Sequence, residues 1–76
     1  MKEGYIVWNE SNCGSEFFGV YRSWEKAFAQ FRRVVRKKYG KCPRGTYEDI
    51  LNWLISDGIE DGDDSHKITY FEEGEI

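Results

Sequence analysis

The sequence predicts an α+β fold: a two-layer sandwich whose three-stranded, mainly antiparallel sheet carries two helices on one face, in the order ββααβ. Three observations predict it. Two β-rich runs, residues 4–8 and 16–21, come before any helical pattern. Two apolar stripes of helical period follow, at 23–39 and 46–57. A last β-rich run, 66–72, then closes the chain. Seventy-six residues hold a single domain, 1–76. A domain of this size buries only about 60% of the surface its unfolded chain exposes, so it depends on large side chains. Aromatic residues supply them, at 17% of the composition.

Gly-Tyr-Ile-Val-Trp (4–8) and Glu-Phe-Phe-Gly-Val-Tyr (16–21) read as a hairpin around a turn cluster of six or seven residues. Alternation groups Ile6 and Trp8 with Phe18 and Val20 on one face. Tyr5, Val7, Phe17 and Tyr21 then share the other. Gly19 in mid-strand signals a bulge or a close approach. Ser23 is the expected N-cap of a helix whose core stripe is Trp24, Phe28, Phe31, Val35 and Tyr39, ended by Gly40. Thr46 to Asp49 resembles a capping box with Asp in place of Glu or Gln. Tyr47, Ile50, Leu51 and Leu54 form the stripe of this second helix, and the short connection before it predicts antiparallel helices. If chain directions alternate, the third strand pairs beside the second. A parallel position beside the first is the alternative.

Charge is segregated. Residues 22–44 hold nine basic residues against Glu25, and residues 45–76 hold ten acids against Lys67, within a net charge of −3. No apolar run approaches the ~20 residues of a membrane span. The first residues, Met-Lys-Glu-Gly-Tyr, lack a signal-peptide core. A cytoplasmic protein with no membrane partner is expected, with Cys13 and Cys42 as free loop thiols.

No cofactor, metal or catalytic residue is expected. Cys13, Cys42 and His66 form no CxxC or HxxxH pair, and His66 reads as a surface histidine. The acidic run 57–64 fails the EF-hand pattern: counted from Asp57, Ile59 and Ile68 occupy ligand positions. No nucleophile lies beside a base. What remains is surface. An uncovered sheet face bearing Tyr5, Phe17, Tyr21 and Phe71 marks an interface with a protein partner or with a second copy of the chain. The acidic set Asp57, Glu60, Asp61, Asp63 and Asp64 could mimic nucleic-acid phosphates toward a basic partner groove. As the alternative function, Lys26, Arg32, Arg33, Arg36 and Lys37 on the first helix, continued by Lys41 and Arg44, could bind nucleic acid.

Phe18-Gly-Val-Tyr-Arg-Ser-Trp-Glu-Lys-Ala-Phe28 resembles an element of many short, uncharacterised bacterial and phage proteins. In them a strand ending in Gly-Val-aromatic passes through Ser into a helix beginning Glu-Lys-Ala. The resemblance covers about eleven residues, one strand-to-helix corner whose N-cap accounts for most of the pattern. It implies an accessory protein of a phage or other mobile element that binds and blocks a host protein, defence nucleases included. It names no functional residue. The expected function is therefore a non-catalytic protein-interaction module.

Overall fold

The computed structural model describes residues 3–11, 14–57 and 64–72. Its elements are β1 (Glu3–Ser11), β2 (Gly14–Tyr21), α1 (Trp24–Tyr39), α2 (Tyr47–Ser56) and β3 (Asp64–Glu72). The α+β class and the order ββααβ are as the sequence predicts. The helix ends are too. Ser23 Oγ accepts the Lys26 N–H at 3.3 Å, and Gly40 takes the left-handed conformation, φ 83°, with its N–H on the Arg36 carbonyl. Thr46 and Asp49 cap reciprocally: the Asp49 N–H donates to Thr46 Oγ1 and the Thr46 N–H to Asp49 Oδ2. Asp serves where Glu is usual.

The sheet departs from expectation in three ways. First, the hairpin is longer than the β-rich runs, because ladder pairing reaches Ser11 and Gly14. Second, β3 pairs antiparallel with β1, not beside β2, giving the order β2-β1-β3. The helices explain this. Tyr47, at the start of α2, meets Trp24, at the start of α1, at 5.4 Å between ring centroids. Lys41, just past the end of α1, lies 5.9 Å over Trp53 near the end of α2. The helices therefore start together and are not antiparallel neighbours. The connection 40–46, seven residues, spans roughly 24 Å when extended, enough to run back along the 16 residues of α1. The end of α2 then lies near the end of the sheet where Asp64 pairs with Ser11.

Third, the faces are exchanged on β1 and split on β2. Tyr5 and Val7 point toward the helices, with Tyr21 from β2 and Ile68 from β3. Ile6 and Trp8 point away, as do Val20, opposite Ile6, and Phe17, opposite Trp8. The cause of the split on β2 is a bulge. Register shifts between Val7 and Trp8, where Val7 pairs with Gly19 and Trp8 with Phe17, so Phe18 is the extra residue. Gly19 has φ 145°, and a β-carbon there would stand 2.6 Å from the Tyr21 hydroxyl. A bulge lets Phe17 face outward while Phe18 still reaches the core side.

One core results. Val7, Ala27, Phe31, Val35, Ile50 and Leu54 are fully buried, so both helices bury their stripes against the same side of the sheet. Trp24 is only partly covered, and the keystone of α1 is Phe31, which meets Phe28 and Tyr47. The Tyr47 hydroxyl takes the Ile68 N–H at 2.8 Å and so satisfies a donor on the outer edge of β3. Tyr47→Phe should cost about 1–2 kcal/mol by orphaning that donor. Native-state hydrogen exchange should be faster at the Ile68 amide than in the wild type; an unchanged rate would contradict this account.

Candidate functional site

The helix-free face of the sheet carries the most distinctive surface. Trp8 holds its centre. Its Nε1–H donates to Thr69 Oγ1 at 2.8 Å, and its ring stacks on Phe17 at 6.3 Å with 19° between planes. Lys67 Nζ lies 4.9 Å over the same ring while pairing with Glu10 Oε2 at 3.3 Å. Partners on three sides hold the indole. Around it, Phe17 is 66% exposed and Val20 60%. At the other end Phe71 lies over Gly4, where a β-carbon would stand 2.8 Å from the ring. The result is an apolar strip, Phe71–Ile6–Val20–Trp8–Phe17, bordered by the Lys67–Glu10 pair. An exposed ion pair of this kind adds little stability. Its effect here is to border an apolar strip with charge, the usual layout of a contact surface.

Of the residues expected on the open face, Phe17 and Phe71 are there. Tyr5 and Tyr21 are not: both pack against the helix-side core, Tyr5 edge-on to Trp24 at 5.6 Å. Trp8, Ile6 and Val20 replace them. For Val20 the signal is Gly19, already a bulge candidate in the sequence; for Ile6 and Trp8 there is none, because both alternating sets of β1 are apolar.

The acidic set is only partly placed. Asp57 caps α2, donating its N–H to the Trp53 carbonyl at 3.0 Å, and is exposed. Asp64 opens β3. Glu60, Asp61 and Asp63 lie outside the described residues. At the opposite end of β3, the Tyr70 hydroxyl reaches Glu72 Oε1 at 2.7 Å and Glu3 Oε2 at 2.8 Å. These contacts, that to Glu72 foremost, hold the phenol proton and push its ionisation well above the ordinary tyrosine range.

The basic residues divide around α1. Arg33 and Lys37, with Lys38, border a groove against β2. Arg32 turns the other way, half-buried, its guanidinium 5.9 Å over Phe28. Lys26 and Arg36 are exposed, Lys41 lies over Trp53, and Arg44 is exposed in the connection.

His66 is not a surface residue. It is 2% exposed, stacked beside Phe18 at 6.1 Å and edge-on to Tyr39 at 5.8 Å. Cys42 carries a free thiol in the connection 40–46, half-buried against the core; Cys13 lies outside the described residues. Among the described residues no three His, Cys, Asp or Glu side chains gather where they could hold a metal ion. Nor does any helix among them have the length and apolar character to cross a membrane.

No protein-family model, curated protein or solved structure matches this chain.

Proposed function

We propose that this chain is a non-catalytic protein-binding module that docks through the helix-free face of its sheet. In the reading the strand-to-helix resemblance implies, it is a phage or mobile-element modulator of a host protein. One observation supports docking above all: a tryptophan held by Thr69 and Lys67 at the centre of a strip whose flanks, Phe17 and Val20, are mostly exposed. Tryptophan is the residue type most enriched at interface hot spots, and a side chain already held in place loses little freedom on binding. The acidic segment beginning at Asp57 supplies long-range attraction to a basic partner, and reversing Asp57, Asp61 and Asp63 to Lys should weaken capture at low salt.

The test is affinity capture from nuclease-treated bacterial lysate with the wild type, Phe17→Asp and Val20→Asp. Both substitutions fall on exposed positions, so the circular dichroism spectrum should not change. The wild type should retain a partner in stoichiometric amount, and each variant should bind it about 30-fold more weakly, the effect of losing a hot spot. Equal retention by all three would remove this face from consideration. A wild-type dimer that both variants convert to monomer in sedimentation would assign the face to a second copy instead.

Nucleic-acid binding through α1 is the second reading, favoured by the adjacency of Arg33 and Lys37. It is discarded if no gel shift occurs with single- or double-stranded oligonucleotides at about micromolar protein and ~50 mM salt, where nonspecific phosphate contacts are strong.

A further inference from the structure

Because the two helices start together, Trp24, the first residue of α1, meets Tyr47, the first residue of α2, in a corner on the helix side of the sheet. The two rings stand 87° apart, and Phe28, one turn along α1, lies 12° from parallel to Trp24. A cavity of about 600 Å³ opens over these rings, and Gly45, Thr46 and Glu48 complete its lining among the described residues. Its walls are fixed from behind. Tyr5 packs edge-on to Trp24, and the Tyr47 hydroxyl accepts the Ile68 N–H. The reciprocal cap of Thr46 and Asp49 sets the helical turn that carries Glu48.

Two observations say what this corner takes. The first is an unfilled position over a tryptophan. The other two tryptophans each carry a cation of this chain: Lys67 lies 4.9 Å over Trp8, and Lys41 5.9 Å over Trp53. Trp24 is 38% exposed and carries none among the described residues. Arg32 serves Phe28, but it stands two turns further along α1, about 12 Å of helix from Trp24. The second observation is the charge of the lining. Among the described residues Glu48 is its one ionised side chain, and none of them forms an ion pair with it. A helix start ordinarily attracts anions, but here carboxylates already occupy the first turn of α2. Open π surface and a carboxylate in one cavity suit a cation.

We infer that this corner is a site for an arginine side chain of a partner. A guanidinium is planar and weakly hydrated, so it lies flat on Trp24 while its fork of N–H donors reaches the Glu48 carboxylate. A lysine ammonium is a strongly hydrated point charge and loses that water against the rings. A quaternary ammonium has no donor and leaves Glu48 desolvated without a hydrogen bond. The site does not depend on the docking strip, and its test uses single side chains, so failure of one reading leaves the other standing.

Isotope-edited NMR titration of the whole chain with N-acetyl-arginine amide at constant ionic strength tests this. The lysine and citrulline counterparts and tetramethylammonium are the comparisons. The arginine compound should move the Trp24 indole N–H and the Tyr47 and Glu48 amides with an affinity of about 1–10 mM, leaving the Trp8 and Trp53 indoles in place. Each comparison compound should bind about fivefold more weakly or worse. Glu48→Gln should lower arginine affinity about tenfold. Glu25→Gln, which removes an exposed carboxylate outside the lining, should leave it within about twofold. Both positions are exposed, so the amide spectrum should stay that of the folded chain. The inference is overturned by no Trp24 shift up to about 50 mM, by equal shifts at all three indoles, or by Glu48→Gln binding arginine as tightly as the wild type. Equal binding of lysine, citrulline or tetramethylammonium would overturn it as well, since charge, shape or π contact alone would then suffice.

Discussion

Phe31→Ala should cost about 3–5 kcal/mol and leave the protein close to its unfolding midpoint at room temperature. The side chain is 1% exposed, lies on the inner side of α1, and meets Phe28 and Tyr47 at 6.4 and 5.1 Å between centroids. Truncation removes buried apolar surface and opens a cavity among Val7, Val35, Ile50 and Leu54, residues on three different elements that cannot all move inward. At 0.05–0.15 kcal/mol per residue, a chain of 76 residues has a total stability of roughly 4–11 kcal/mol, so one such cavity consumes much of it. Urea denaturation followed by tryptophan fluorescence measures the loss. Phe17→Ala is the control, expected within about 0.5 kcal/mol of the wild type because that ring is mostly in solvent. Equal losses for the two would mean that the core side of the sheet is wrongly assigned.

Gly19→Val should be the most damaging change at a residue with no side chain to lose. Two costs combine. Positive φ strains a β-branched residue by about 1–3 kcal/mol, and the added carbon meets the Tyr21 ring and hydroxyl. Relief requires either that Tyr21 leave the core or that the bulge close. Closing the bulge by one residue would turn Phe18 outward and send Phe17 toward the helices, because side chains alternate along a strand. A loss of about 2–4 kcal/mol is therefore expected in denaturation. The groove between α1 and β2 should also lose the Phe18 ring, visible as altered chemical shifts at His66 and Gln30. A mild effect below about 0.5 kcal/mol would remove the bulge as the device that sets the two faces.

These two residues show where sequence reasoning reached and where it stopped. Phe31 was legible. Residues 23–39 carry an apolar stripe at helical spacing between an N-cap serine and a terminal glycine, and each signal is local to the helix. The capping box at Thr46 was legible for the same reason. The faces of β1 were not. Tyr5 and Val7 alternate with Ile6 and Trp8, and both sets are apolar enough for a core, so alternation defines two groups without saying which is inside. On β2 one extra residue then breaks the alternation itself.

The sequence by itself determined the α+β class, the order of elements, the caps and the apolar side of each helix, because those depend on neighbours within a few residues. Only the tertiary structure decided the rest. It placed β3 beside β1, because α2 starts next to the start of α1 and so ends near the far end of the sheet. It placed Trp8 outside and Tyr5 inside, and brought Phe18, Arg33 and His66 to one groove from three elements. Each of these depends on contacts between residues distant in the chain, where hydrophobic burial is non-directional and leaves the choice among partners to packing.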